Sequence, residues 1–157
     1  MIHRLQREQV VPAGLDEVFE FFSQARNLET LTPPWLRFEV LTPEPIEMQQ
    51  STRIAYRLRL HGMPLRWVSQ IEEWNPGQGF VDRQVHGPYR LWHHRHEFQV
   101  TDGGTLVRDI VDYALPLGPL GELSHAAFVR RDLAAVFDYR RQRIADLASA
   151  ERLAASV

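Results

Sequence analysis

The segment Trp92-His93-His94-Arg95-His96-Glu97-Phe98 places aromatic and polar residues in a regular alternation. In a β-strand, successive side chains point to opposite faces, so one face carries Trp92, His94, His96 and Phe98. The large aromatic residues at both ends of this face indicate that it is buried. Two imidazoles then point into a hydrophobic interior, where an unpaired polar group is costly. The segment therefore predicts a strand whose inner histidines either have polar partners or line a pocket.

Short segments rich in Gly and Pro divide the middle of the chain into further strands. Asp102-Gly103 is the strongest hairpin signal, because both residues tolerate the positive φ that tight hairpin turns require. The links between strands are short, so we expect antiparallel pairing. The predicted strands cover about 3–11, 36–43, 51–61, 65–74, 79–86, 89–101 and 104–115.

Alternation within these strands predicts which side chains share the inner face with His94 and His96. In strand 79–86, the face of Phe80, Asp82 and Gln84 competes with a second face formed by Val81, Arg83 and Val85. We expect the first face to point inward. The predicted pocket residues are then Tyr56, Trp67, Asp82, Gln84, Trp92, His94, His96, Asp109 and Tyr113.

Three helices are predicted around the sheet. Leu15–Ser23 carries Val18, Phe19, Phe21 and Phe22 on closely spaced turns, and a short helix at about Ala25–Leu31 ends before Pro33-Pro34. A long helix begins after Pro119 and runs to about Ala148. Its apolar residues recur at helical spacing: Leu123, Ala126, Ala127, Leu133, Ala134, Phe137, Ile144 and Ala148.

Arg130 lies near the middle of this apolar stripe. An arginine in that position is expected to reach water or to meet a carboxylate. We predict that Arg130 enters the space between helix and sheet and pairs with Asp109, or with Asp82 as the second choice. Arg130 is therefore added to the predicted ligand-binding residues.

Length and composition predict one globular domain over residues 1–150, with 151–157 as a short tail. The chain has 157 residues, is 44% hydrophobic and has a net charge of −2. Without a basic excess, a nucleic-acid partner is not expected. There is no cysteine, no run long enough for a membrane helix, and no apolar signal segment near Met1. We expect a cytoplasmic protein without stable membrane insertion, present as a monomer or weak homodimer.

Four segments of the chain resemble the START-like, or Bet v 1-like, superfamily (SRPBCC), in its polyketide cyclase/dehydrase and lipid transport branch. They are Val11–Phe22, Asn27–Pro33, Gly87–His94 and Leu115–Gly121. The resemblance implies an α+β helix-grip fold, in which a curved seven-stranded antiparallel sheet wraps around a long C-terminal helix. Two short helices follow the first strand, and a cavity lies between sheet and long helix.

The resemblance leaves three functions open. The favoured interpretation is binding of a small apolar, aromatic or lipid-like molecule in the cavity. The alternative is a cyclase/dehydratase-type enzyme, with His94 or His96 as the acid–base group and Asp109 orienting it. A third interpretation is an interaction module whose cavity has collapsed. An open polar cluster would favour the enzyme over simple binding.

The histidines themselves also allow a purely structural interpretation, in which His94 or His96 is hydrogen-bonded by Asp109, Asp82 or Tyr56. Metal binding is the least favoured interpretation, because a zinc site needs a third ligand that the sequence does not identify. We predict no metal and no cofactor. No phosphate loop, dinucleotide fingerprint or serine nucleophile motif is present in the sequence.

Overall fold

The computed structural model describes residues 1–150 and Leu153. The chain begins with strand β1 (His3–Val11), followed by helices α1 (Leu15–Ser23) and α2 (Asn27–Leu31) and a 3-10 turn at Pro34–Leu36. Six strands follow. They are β2 (Glu39–Val40), β3 (Arg53–Leu60), β4 (Met63–Asn75), β5 (Gly79–His86), β6 (Leu91–Thr101) and β7 (Gly104–Ala114). The chain then enters its C-terminal helical region, α3 (Pro119–Ser124), a π-helical segment (His125–Val129) and α4 (Arg130–Ser149).

The seven strands form one antiparallel sheet in the order β1-β7-β6-β5-β4-β3-β2. Consecutive strands from β2 to β7 are neighbours, and β1 closes on β7, so α1 and α2 connect the two edges of the sheet. This is the predicted helix-grip architecture, with a curved sheet around a long C-terminal helix. The predicted strand at 36–43 is much shorter, because Pro34–Leu36 forms a 3-10 turn that ends at Arg37 in a left-handed conformation.

The core lies between the inner face of the sheet and the helices. Helix α1 buries Val18 and Phe21, while its acidic residues Asp16 and Glu17 occupy the first turn, where the helix dipole favours negative charge. Leu153 packs into the same hydrophobic cluster as Val18 and Phe21. The other residues of the predicted tail lie outside the described part of the chain. The face of Phe80 and Asp82 in β5 points inward as predicted, although Val81 of the competing face is also buried.

The long helix differs from its prediction in one respect. The π-helical segment at His125–Val129 interrupts it, and a π turn typically holds one residue more than an α turn. One residue shifts the helix face by about 100°. Leu123 is therefore 67% exposed, and Ala126 and Ala127 also face solvent, contrary to the predicted stripe. The residues that α4 buries are Leu133, Phe137, Arg140, Ile144 and Leu147.

Among residues 1–150 and Leu153, the structure contains no helix with the length and apolar character needed to cross a membrane.

Candidate functional site

A cavity of about 500 Å³ lies between the inner face of the sheet and helix α4. This volume falls in the range typical of small-molecule sites. Its walls come from α2, the 3-10 turn, strands β3 to β6 and α4. Six of the predicted pocket residues line it: Tyr56, Trp67, Asp82, Trp92, His94 and His96.

Aromatic rings form one wall of the cavity. The rings of Trp67 and Trp92 meet edge to face, with centroids 5.1 Å apart, and the Tyr89 ring lies 4.9 Å from that of Trp92. Leu58, Leu133 and other aliphatic side chains complete the apolar surface. Such a wall favours flat, mainly apolar ligands, because stacked and edge-on contacts reward planar partners.

The mouth of the cavity is marked by those lining residues that are exposed. Trp35 is 59% exposed and packs edge-on against Tyr139 of α4, with ring centroids 5.9 Å apart. On the other side, His61 and Phe128 lie with ring centroids 5.5 Å apart. The His61 ring is also held by Asp132, with 2.8 Å between Nε2 and Oδ2. A ligand therefore has an entrance bordered by aromatic side chains.

The inner end of the cavity is polar because of strand register. In the sheet, His94 of β6 lies opposite Asp82 of β5, and His96 lies opposite Asp109 of β7. The four side chains share the inner face and meet diagonally. His94 Nε2 is 2.9 Å from Asp109 Oδ1, and His96 Nε2 is 3.0 Å from Asp82 Oδ2. We call these residues, together with Arg140, the polar cluster.

Each imidazole of the polar cluster lies between the two carboxylates. The second nitrogen of His94, Nδ1, is 3.7 Å from Asp82 Oδ2. The second nitrogen of His96, Nδ1, is 3.0 Å from Asp109 Oδ1, but it lacks hydrogen-bond alignment and has no other partner among the described residues. The two rings are 3.8 Å apart, and Phe80 stacks on His96 at 4.2 Å. Contacts with the two carboxylates, with each other and with Phe80 therefore hold the two imidazole rings in place on the sides that do not face the cavity.

Burial and charge act differently on the two histidines. Burial lowers the pKa of His94, and the adjacent His96 lowers it further, so the hydrogen bond with Asp109 does not restore it. Burial also acts to lower the pKa of His96, but the flanking carboxylates of Asp109 and Asp82 outweigh it and raise this pKa above the ordinary value.

For the two carboxylates of the cluster, burial acts to raise the pKa and the neighbouring positive groups act to lower it. Burial would raise the pKa of Asp109, but His94 and His96 outweigh it and hold that pKa well below its ordinary value. Asp82 follows the same pattern: its contact with His96 and the nearby positive charges lower its pKa despite burial. The imidazole of His96 lies between the two carboxylates, and the guanidinium of Arg140 lies 4.0 Å from Asp109 Oδ1.

The predicted pairing of Arg130 with Asp109 is wrong. Arg130 is exposed at the start of α4 and does not line the cavity. The cation near Asp109 is Arg140, which is 9% exposed, with Nη1 4.0 Å from Asp109 Oδ1 and its guanidinium 4.9 Å from the centre of the Phe137 ring. Arg140 follows Leu133 and Phe137 on the same helical stripe, and this spacing was the available signal for it.

Three other predicted pocket residues lie elsewhere. Gln84 clamps the β5–β6 turn: its amide donates to the Tyr89 carbonyl at 2.7 Å and accepts from the Tyr89 N–H at 3.2 Å. Tyr113 is buried away from the cavity lining, with its hydroxyl 2.9 Å from His125 Nε2. Asp109 lies behind the histidines and reaches the cavity through them.

Ser69 is a member of the site that sequence reasoning did not identify as such. Its hydroxyl accepts a hydrogen bond from Trp67 Nε1 at 3.1 Å and donates to Asp82 Oδ1 at 3.3 Å. It therefore ties the aromatic wall to the polar cluster. Alternation from Trp67 puts Ser69 on the inner face of β4, but its contact with Asp82 depends on the pairing register of β4 and β5.

The structural comparison supports the helix-grip fold. The Zhui aromatase/cyclase from Streptomyces sp. R1128 has a TM-score of 0.73 at 16% identity, covering 95% of this chain and 94% of that one. TTHA0849 from Thermus thermophilus has a TM-score of 0.64 at 20% identity, covering 96% and 99%. Ara h 8.0201 has a TM-score of 0.60 at 14% identity, covering 92% and 98%. At these identities the similarity establishes the fold alone.

The sequence comparisons identify the family of the chain. No curated protein matched it. The family model described as polyketide cyclase / dehydrase and lipid transport matches residues 11–136, which contain six of the seven strands and the cavity wall up to the first two turns of α4. The chain therefore belongs to the polyketide cyclase/dehydrase and lipid transport family.

Proposed function

We propose that this protein binds a small, flat, mainly apolar molecule that carries one polar group. The observation behind this proposal is the cavity of about 500 Å³ whose apolar and aromatic walls end at the polar cluster. The walls would hold the body of the ligand by burial of apolar surface. Asp82, His94, His96 and Arg140 line the inner end, where they would hold a carbonyl or hydroxyl group. A cavity of this size also argues against a collapsed interaction module.

A test of this proposal blocks the cavity without disturbing the rest of the sheet. Calorimetric titration with a panel of bicyclic to tetracyclic aromatic alcohols and ketones should give saturable one-to-one binding to the parent protein. Leu58→Trp fills the cavity and should weaken binding at least about tenfold. Leu91→Trp adds the same side chain on the outer face of β6, at a residue 36% exposed, and should bind as the parent does. Equal affinity in both variants would refute binding in the cavity.

A second candidate function is acid–base conversion of the bound molecule. The observation that favours it is that His94, His96 and Asp82 line the cavity and are not covered by packed side chains. Asp109 contacts both imidazoles and would orient them, as carboxylates do for catalytic histidines. The chain would then resemble the aromatase/cyclase among its structural neighbours in activity as well as in fold.

This candidate function predicts a changed product mass. Incubation with the molecule that co-purifies from the host should give a product, and His94→Gln should remove the roughly 10²–10⁴-fold acceleration that positioned acid–base groups supply. His93→Gln is the matched control, since His93 lies on the outer face beside Glu72. An unchanged ligand mass with the parent protein would leave binding as the function.

We also propose that the protein acts in the cytoplasm as a monomer or weak homodimer, without a nucleic-acid partner. The absence of cysteine and of a basic excess supports this proposal.

A further inference from the structure

We propose that Asp82, His94 and His96 form a site for one divalent transition-metal ion at the inner end of the cavity. One nitrogen of each imidazole and a carboxylate oxygen of Asp82 lie within 4.8 Å of one another. Sequence reasoning set metal aside because no third ligand was identifiable, and strand register supplies it in Asp82. The inference is independent of which apolar molecule the cavity binds.

The spacing of the three donor atoms fits a small ion. Donors arranged tetrahedrally about 2.0–2.1 Å from Zn²⁺ lie about 3.3 Å from one another. The distances from Asp82 Oδ2 to His96 Nε2 and to His94 Nδ1 are 3.0 and 3.7 Å, on either side of that value. The two imidazole nitrogens of the set lie within 4.8 Å of each other. An ion could therefore bind between the three donors once side-chain movements bring all three separations to about 3.3 Å.

Asp109 supplies the outer support that such sites require. Metal-binding histidines generally turn their second ring nitrogen to a carboxylate or carbonyl, which fixes the tautomer and the ring orientation. Here His94 Nε2 does so through a hydrogen bond with Asp109 Oδ1 at 2.9 Å, while His96 Nδ1 lies 3.0 Å from the same oxygen without hydrogen-bond alignment. The nitrogens facing Asp109 are the ones not used toward Asp82, so the two sets of contacts are compatible.

The donor set defines the class of ion. Two imidazoles and one carboxylate suit Zn²⁺, Fe²⁺ and Co²⁺, whereas Mg²⁺ and Ca²⁺ prefer oxygen ligands alone. Three protein ligands leave at least one position free, as in catalytic metal sites. Because Asp82, His94 and His96 line the cavity, that position is accessible to a polar group of the cavity ligand.

The test uses the chelator-treated, full-length protein. Titration with Co²⁺ should give visible absorption bands that saturate at one ion per chain, and Zn²⁺ should displace the Co²⁺ while Mg²⁺ should not. Asp82→Asn, His94→Gln and His96→Gln should each lower the affinity at least about tenfold, and Asp109→Asn by about 10- to 100-fold. His93→Gln, on the outer face of the same strand, should bind as the parent does.

Two results would overturn the proposal: no saturable Co²⁺ binding to the parent protein, or equal binding by the His94→Gln/His96→Gln double variant. If a ligand variant does not fold, the parent protein alone decides the question. Bound Co²⁺ should broaden the NMR signals of Phe80 and Phe137, whose rings lie 4.2 Å from His96 and 5.6 Å from His94. Broadening confined to residues near His61 or His93 would assign the ion to the surface and contradict the site.

Discussion

Asp109 is the residue on which the polar cluster depends most. It is 6% exposed, contacts both inner histidines, and lies 4.0 Å from Arg140. A buried carboxylate is tolerated only with such partners, because its desolvation is otherwise too costly. Loss of its charge would remove one of the two carboxylates beside His96 and the carboxylate that lies 4.0 Å from Arg140.

At this scale we predict that Asp109→Asn lowers the free energy of unfolding by about 3–5 kcal/mol, the cost of breaking a buried ionic contact at one partner. Arg140→Met should cost less, about 1–3 kcal/mol, because its contact with Asp109 is longer and methionine keeps the apolar packing. Arg130→Met is the matched control on the same helix and should stay within about 0.5 kcal/mol of the parent. Urea unfolding measures all three, and a larger loss for Arg130→Met than for Arg140→Met would contradict the assignment.

The inward direction of His94 and His96 could be predicted from sequence because it depends only on alternation within one strand. The role of Arg140 could not be predicted in the same way. Arg130 and Arg140 both lie on the apolar stripe of α4, and their exposure depends on where each lies along the helix relative to the sheet. That position depends on how the helix packs against the sheet, which the sequence pattern of the helix does not contain. Gln84 is a second residue whose role could not be predicted from alternation. Alternation placed it among the pocket residues, but its amide is hydrogen-bonded to the backbone of Tyr89.

Among the elements, the β5–β6 hairpin sets the position of the aromatic wall. The Gln84 amide holds both backbone polar groups of Tyr89, and Tyr89 packs against Trp67 and Trp92. A Cβ atom at Gly87 would collide with the end of the Gln84 side chain, so a larger residue here would displace the Gln84 amide from Tyr89. The turn and the wall are thus coupled through one side chain.

We predict that Gln84→Ala lowers the free energy of unfolding by about 1–3 kcal/mol, because two backbone groups of Tyr89 lose their partner. The same variant should weaken ligand binding, since Tyr89 lines the cavity. Gln99→Ala, at an exposed position of β6, is the control and should change neither property. Thermal unfolding and calorimetric titration of both variants give the comparison. Identical behaviour of the two variants would show that the contact between Gln84 and Tyr89 supports neither stability nor ligand binding.

In the C-terminal helix, sequence periodicity is not sufficient to predict which residues are buried. The periodic spacing predicted its extent well, but one π-helical turn changes which residues face the sheet. Regular spacing cannot predict such a turn, because π-helical segments are rare and occur mostly as single-turn bulges inside α-helices. The outward position of Leu123 is therefore visible only in the structure.

This shift in helix phase is testable with two leucines that the sequence treats as equivalent. Leu133→Ala should lower the free energy of unfolding by about 2–5 kcal/mol, because it removes a buried side chain from the cavity wall. Leu123→Ala should have an effect within about 0.5 kcal/mol, since the side chain is already 67% exposed. Chemical unfolding curves of the pair measure the difference. Comparable losses would mean that the helix continues without the phase shift.

On the scale of the whole molecule, a densely packed hydrophobic core lies beside an open cavity. The sheet, α1 and the C-terminal part of α4 pack into a dense aromatic and aliphatic core, while the space between β3–β6 and the first turns of α4 stays open. Family resemblance predicted this arrangement, and the fold confirmed it. The inward-facing polar residues could be predicted from alternation, but the size of the cavity and the pairing of those residues could not, because both depend on which side chains meet across several strands.

Native mass spectrometry of the protein purified from its own host tests the central claim most directly. We predict that the intact protein carries a stoichiometric, non-covalent, small apolar molecule that is lost on denaturation. Leu58→Trp should appear at the mass of the free chain, and Leu91→Trp should retain the bound molecule. If the parent protein and Leu58→Trp carry the same adduct, or if neither carries one and no aromatic compound saturates the parent, the cavity is not a ligand-binding site.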